Sequence, residues 1–460
     1  MTLSSSFRGA SHKRVYARLQ RAMASEPGIQ KRALDSGFAP SAGPGMTKGL
    51  LALALILGVS VSVSVSAAAK DAMRELPAKL RSAQVDTASF DTLAGWKDDD
   101  HAEAYGAFRT SCRAILNGTK AMRKARPVYG GLFEVCERAK AAGTLDREQA
   151  RVFFEQNFKL VRLAQPSQPQ GFFTGYYETE FDGSRVQTDE YTVPIYAAPA
   201  EAVKKKKSKV FAHLDRTKIE EGALKGKGLE ICWVKNPIDA FFAQIQGSSR
   251  VKLDDGKLLR LNYVASNGQP YTPVGRFLID RGIVSKEEMS LDKIRDWMEA
   301  NPEEGKELRR KNRSFVFFQE TPLAPHEECI GAQGVPLTPL RSLAVDKKIH
   351  VYGTPIWIDA ELPIASEQPE TKFQRLLIAQ DTGSAIVGPA RADIYFGAGE
   401  EVGHIAGRIK QFGNFVMLVP RAVAVKGDGA PPAAVPLPQP RPKAIVADAG
   451  GEAVSAKARP

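Results

Sequence analysis

The sequence predicts a mainly β protein, a barrel of short strands preceded by a helical segment, on three observations. Across residues 70–158 apolar side chains recur every three to four positions, the period of a helix. From Gly171 the pattern changes to runs rich in aromatic and β-branched residues, the composition of strands. Across residues 314–425 several such runs follow one another between Pro and Gly, which suits a barrel better than a parallel α/β sheet.

The 460 residues leave room for two or three domains, and 43% hydrophobic with 25% charged residues excludes a polytopic membrane protein and a chain disordered throughout. The net charge of +12 invites a nucleic-acid reading. Residues 1–69, however, carry eight basic side chains against two acidic ones, so half of the excess lies there. The rest is an ordinary surface, and no nucleic-acid partner is expected.

Taken in order, the chain first shows an export signal. Met46-Thr47-Lys48 precedes a weakly polar to apolar run over residues 49–66, and Ala67-Ala68-Ala69 offers a cleavage site before Lys70. The run is short for a spanning helix and is diluted by Ser60, Ser62, Ser64 and Ser66. Residues 1–45 do not fit a signal peptide, so residues 1–69 are read as an upstream extension plus signal, with Met46 as a candidate start. No Cys precedes Cys112, hence no lipobox. The expected location is the periplasm, with outer-membrane association left open.

Export to an oxidising compartment favours disulfides. Cys112 and Cys136 share one helical region and are the expected bridge, two buried free thiols being the alternative; the pairing of Cys232 and Cys329 stays open. Residues 70–169 are assigned to the helical segment. Strand-like runs follow at residues 172–178 and 191–196, and then a lysine cluster, Lys204 to Lys207 with Lys209, reads as a solvated loop. Between Val251 and Val274 the turn signals Asp254-Asp255-Gly256 and Asn267-Gly268 predict a three-stranded meander. Helices are expected over residues 287–300, 303–311 and near 401–411. Residues 426–460, rich in Pro and Ala, read as a disordered tail.

Several chemistries are absent. There is no HExxH, no GxSxG elbow and no P-loop, and Glu401 with His404 is an isolated helical pair, so no metal is expected. The glycine run from Gly397 to Gly403 lacks the acidic residue that a dinucleotide site places about 20 positions on. Three aspartates at strand ends stand out instead: Asp346, Asp381 and Asp393, each beside apolar residues. Such surroundings raise a carboxyl pKa, as a general acid near neutral pH requires, although Asp is also common where strands end.

At these residues the sequence resembles the membrane-bound lytic murein transglycosylase A family, glycoside hydrolase family 102, with its C-terminal three-aspartate (3D) domain. The resemblance covers roughly residues 170–420. It rests on Phe173-Thr174-Gly175-Tyr176-Tyr177-Glu178, Pro194-Ile195-Tyr196, the segment from Asp239 to Ser248, Tyr263 with Asn267-Gly268, Asn312 to Phe318, the aspartate segments, and Gly397-x-Gly399 with Gly403-His404. It implies a double-psi β-barrel (residues 170–186 and 322–425) with an inserted second, β-rich domain (187–321). It implies cleavage of the β-1,4 bond between N-acetylmuramic acid and N-acetylglucosamine in peptidoglycan, leaving a 1,6-anhydromuramoyl end, without metal or organic cofactor.

By that resemblance Asp393 is the acid. A hydrolase normally uses two carboxyls; where the sugar's own C6 hydroxyl attacks, one can donate and then accept a proton. Asp381 is placed in the same groove as a tuning or positioning group, and Asp346 is read as structural. Thr174, Tyr176, Tyr177, Gln246, Gly247 and Ser248 are candidates for contact with glycan strands, the expected partner; envelope partner proteins stay unspecified. Two other classes remain: a hydrolase using Asp393 with Asp381, and a non-catalytic wall-binding barrel.

Overall fold

The computed structural model describes residues 74–75, 84–164, 168–199, 213–324 and 326–424. The expected export signal, the lysine cluster and the tail lie outside them. Among the described residues no helix is long and apolar enough to cross a membrane.

The N-terminal part comprises β1 (Gln84–Ala88), α1 (His101–Leu116), α2 (Lys120–Ala125), α3 (Pro127–Ala142), α4 (Arg147–Asn157) and β2 (Phe158–Ala164). Its helix starts are written locally. Asp100 accepts from the Glu103 N–H, Pro127 opens α3, and Asp146 with Gln149 forms a reciprocal capping box. A disulfide joins Cys112 on α1 to Cys136 on α3, with Cα atoms 5.1 Å apart, while Cys232 and Cys329 are buried free thiols. The segment is not helical to its ends as expected. Phe158, Leu160, Val161 and Leu163 are buried in a strand that pairs on both edges, because ladder partners far along the chain outweigh the local period.

Next comes β3 (Gly171–Ser184), fourteen residues long and the spine of the molecule. The excursion that follows holds β4 (Val193–Tyr196), β5 (Glu230–Val234), α5 (Pro237–Gln246), β6 (Ser248–Leu253), β7 (Leu258–Ser266), α6 (Gly275–Asp280), α7 (Leu291–Ala300), α8 (Pro302–Lys311) and β8 (Val316–Glu320). Among its strands it carries the two expected helices, α7 and α8, and α5, which was not expected; the three form an apolar cluster of their own around Phe241, Phe242, Met298 and Leu308. The meander is also corrected. The Asp254-Asp255-Gly256 turn joins β6 to β7, but Asn267 ends β7, and the third strand is β8, delivered after the helices. Asn267 is fully buried; its Nδ2 donates to the carbonyls of Leu214 and Arg313 and its Oδ1 accepts from the Phe315 N–H, so it ties distant loops together. The helix expected from residue 287 begins at Leu291, where Ser290 caps it.

The chain then returns through β9 (Ser342–Val345), β10 (Pro355–Leu362), β11 (Thr371–Asp381), β12 (Arg391–Ala398), α9 (Glu400–Arg408) and β13 (Lys410–Pro420). Six strands pair in the order β13, β10, β11, β9, β12, β3, and β3 pairs back onto β13 through Gly171 to Thr174, so the path returns to its start. The β9–β11 and β12–β3 pairings are parallel and the others antiparallel. The far half of β3, Thr179 to Gly183, pairs with β6. One strand therefore serves both sheets, and the change of sheet falls inside it, ahead of the boundary expected after residue 186.

Two buried ionic clusters hold these parts together. Arg341 makes two 2.8 Å hydrogen bonds to Asp99 and one of 3.1 Å to Glu103, tying the N-terminal helices to the β9 strand. Glu178, at the crossover in β3, takes Arg250 at 2.7 Å and Arg260 at 3.0 Å. Paired and hydrogen-bonded in this way, buried charges are tolerated; either partner alone would be costly.

Candidate active site

Register places the carboxyls. Ala344 on β9 is opposite Asp381 on one side and Asp393 on the other, and Asp393 is opposite Thr174 on β3. Four residues, Asp381, Ala344, Asp393 and Thr174, thus form one row across four strands, with the small Ala344 between the acids. Their Cα atoms are separated by two strand spacings, about 10 Å.

Asp393 Oδ1 accepts a 2.5 Å hydrogen bond from the Thr174 hydroxyl, which accepts from Arg391 Nη2 at 2.7 Å. Burial pushes the Asp393 carboxyl above the usual carboxylate range, while the Arg391 charge and the Thr174 hydrogen bond pull against it. Asp381 is enclosed differently: Oδ1 accepts from the backbone N–H groups of Ala332 and Thr382, each at 2.8 Å, and Oδ2 accepts from Tyr176 at 2.9 Å. Burial raises it as well, and the Asp393 charge adds to that against these three donors.

Strand alternation sorts the aromatic residues. Tyr176 and Tyr395 lie on the acid face, rings 5.2 Å apart, whereas Ile394 and Phe396 turn into the main core. Tyr395 donates to Glu328 at 2.9 Å and lies 3.5 Å from the Cys329 thiol. Tyr177 goes the other way, under α9, where a side chain at Gly403 would meet its ring. Of the two tyrosines named as candidates for glycan contact, Tyr176 thus lies on the acid face and Tyr177 on the opposite one. Gln246 Oε1 accepts from the Tyr177 N–H at 3.2 Å, Gly247 ends α5 at φ 85°, and Ser248 is buried beneath β3 with its carbonyl taking the Thr179 hydroxyl. Asp346 stands apart: Oδ1 accepts from the Lys348 N–H and Oδ2 from the Gly388 N–H, closing two loops.

Sequence reasoning missed three contributors. Tyr271, from the loop after Asn267-Gly268, comes within electrostatic reach of Asp393; burial and that charge push its hydroxyl up to about 12, against Arg216. Gln380, beside Asp381, donates to the Ala107 carbonyl and to Ser111 on α1, and Ser111 donates to Gln333 in the loop that carries Ala332. The N-terminal helices thus brace the Asp381 end of the site. Arg391 is the third.

The chain matches known proteins over most of its described length. A family model described as the MltA specific insert domain covers residues 172–319, and one described as the 3D domain covers residues 341–419. The membrane-bound lytic murein transglycosylase A of Vibrio cholerae is 35% identical over 314 residues, 67% of this chain and 80% of the relative. The chain belongs to the membrane-bound lytic murein transglycosylase A family. Among other members, the Escherichia coli K12 protein of that name is 36% identical over 251 residues, 54% of this chain and 65% of its own. A crystal structure of a family member from Agrobacterium tumefaciens aligns with a TM-score of 0.64 at 35% identity, covering 74% of this chain and 98% of that one. The Escherichia coli protein solved with bound chitohexaose aligns with a TM-score of 0.55 at 30% identity, covering 69% and 90%.

Proposed function

We propose that this chain is an exported lytic transglycosylase that cleaves the bond between N-acetylmuramic acid and N-acetylglucosamine in murein strands. One observation carries the reading: within a family of this activity, Asp393 has one oxygen hydrogen-bonded and the other without a hydrogen-bond partner among the described residues, in a site that raises its pKa. The protonated carboxyl donates to the glycosidic oxygen as the C1–O4 bond breaks. The C6 hydroxyl of the muramoyl residue then bonds to C1, and its proton returns to Asp393, leaving a 1,6-anhydro end and no net uptake of water. Asp381 is a poorer second catalyst, because three donors already occupy its two oxygens.

The six-strand ring is read as the double-psi barrel, supported by its two parallel pairings within an otherwise antiparallel path. The glycan groove is read as lying between ring and excursion, past Thr174, Tyr176, Tyr271 and the Gln246-Gly247 corner. The envelope location follows the relatives' printed name, and the periplasm follows the export signal.

Mass spectrometry of products released from purified sacculi tests the reading. Anhydro-terminated muropeptides are expected, and Asp393→Asn should lower their rate by about a hundredfold to ten-thousandfold, the span of a lost general acid. Reducing muropeptides would instead establish a two-carboxyl hydrolase, and binding to sacculi without release a wall-binding barrel.

A further inference from the structure

The Asp393 carboxyl has two oxygens with unlike surroundings, and the difference begins at a side chain two residues earlier on the same strand. Arg391 and Asp393 share a face of β12, opposite Phe172 and Thr174 on the parallel strand β3. The guanidinium is fixed on several sides. Nη1 donates to the Ala392 and Phe172 carbonyls, and the group lies over the Phe172 ring, 5.1 Å from its centroid, with Phe172 packed on Phe412 at 5.0 Å. Nη2 is aimed at Thr174 Oγ1 at 2.7 Å. No carboxylate forms an ion pair with Arg391 among the described residues; the acid it senses is Asp393.

A guanidinium has only donors. At Thr174 the hydroxyl must therefore accept from Arg391, and its single hydrogen is directed onward to Asp393 Oδ1 at 2.5 Å. A proton on Oδ1 would face the hydroxyl hydrogen itself and turn it away from Oδ1, the acceptor it has among the described residues. We propose that Arg391 is a positioning residue which, through Thr174, keeps Oδ1 as an acceptor and so makes Oδ2 the oxygen that carries the transferred proton. Oδ2 has no hydrogen-bond partner within the described protein and is the free face of the group. The relay fixes the carboxyl rotamer as well as the proton's place on it, before any glycan arrives. It rests on the reading of Asp393 as the acid and adds to that reading a residue and an oxygen.

The charged and titratable groups facing Asp393 are Arg391 on its own strand, Asp381 on β11, Tyr176 on β3 and Tyr271 from the excursion. Arg391 and the Thr174 hydroxyl are the two that hold the carboxyl down. Since the free enzyme needs Asp393 protonated, activity falls as pH rises through its pKa, and removing either influence should carry that fall to higher pH.

The test is the pH profile of kcat/KM for anhydro-muropeptide release from sacculi by the full chain, with folding checked by circular dichroism. Thr174→Val and Arg391→Met should each move the alkaline limb up, by about one pH unit. They should also lower kcat by about tenfold to a hundredfold with KM little changed, as misorientation of a reacting group does. Thr174→Ser, which keeps the hydroxyl, should restore both, and Arg391→Lys, which keeps the charge without the fork, only the limb. The proposal is overturned if Thr174→Val and Arg391→Met keep the parent's limb, or if Thr174→Ser behaves as Thr174→Val. Asp393→Asn is measured beside them: if it is as active as the parent, the assignment of Asp393 fails and the relay with it, whereas an inactive Asp393→Asn with an unmoved limb removes the relay alone.

Discussion

Acid should destabilise this protein through a histidine before it reaches most of the carboxylates. His350 lies in the turn between β9 and β10, fully enclosed. Its Nε2 donates to the Pro389 carbonyl at 2.8 Å, its ring stands 5.5 Å from that of Phe415, and its Nδ1 is buried without a partner among the described residues. A second proton would put a charge and an unsatisfied N–H in the core. Burial thus lowers its pKa from the ordinary 6.5 to about 4, against the Pro389 bond and the Asp346 charge. The unfolded chain takes up the proton as pH falls below 6.5; the folded one does not until about 4. The neutral ring's contribution is whole above 6.5 and fades toward 4. At 1.36 kcal/mol for each tenfold in proton concentration, that interval is worth about 3 kcal/mol. Urea unfolding followed by tryptophan fluorescence, at neutral pH and near pH 4, compares the parent with His350→Gln, whose amide can still donate to Pro389. The parent should lose about 3 kcal/mol more than the variant over that interval. Equal losses would refute the argument, because they would mean that the buried ring is charged in the folded state or that the turn opens freely.

The Asp99–Arg341 pair should behave as a structural lock: Asp99→Ala or Arg341→Ala leaves a buried charge alone and should cost about 3–5 kcal/mol by calorimetry, while Asp99→Leu with Arg341→Met should cost less. Burial raises the Asp99 pKa, but the charge and hydrogen bonds of Arg341 outweigh it and hold the group below its usual range, so this contribution is present at neutral pH and is lost only as pH falls below that range. Replacing both Cys112 and Cys136 with Ser should cost about 3 kcal/mol, matched by adding reductant to the parent.

What the sequence disclosed, and what it withheld, divides by range. Helix starts are local chemistry, so Asp100, Pro127 and the Asp146 capping box can be read from a few neighbouring residues. The motifs around Asp393 were equally legible, because residue types in order survive without knowledge of pairing. The end of the helical segment was not. Phe158 to Ala164 becomes a strand because residues 415–420 and 84–88 lie alongside it. Asn267-Gly268 looked like a hairpin turn, yet the Asn side chain is spent on Leu214, Arg313 and Phe315, and no local pattern announces contacts that distant.

The site follows the same division at finer grain. Alternation along one strand is a local rule, and it sends Thr174 and Tyr176 to one face and Tyr177 to the other once the strand is anchored; the sequence shows the period but not which phase faces the acids. Anchoring comes from Asp393 opposite Thr174 and Ala344 opposite both acids, pairings that span as many as 219 positions. Arg391 could have been suspected from its phase alone, two residues before Asp393 and hence on the same face. Its function could not, since a surface ion pair, a sugar contact and a hydroxyl relay all fit an arginine at that place. Only the hydroxyl of Thr174, brought in from the far side of the excursion and caught between a group that only donates and a carboxyl that can accept, selects the relay.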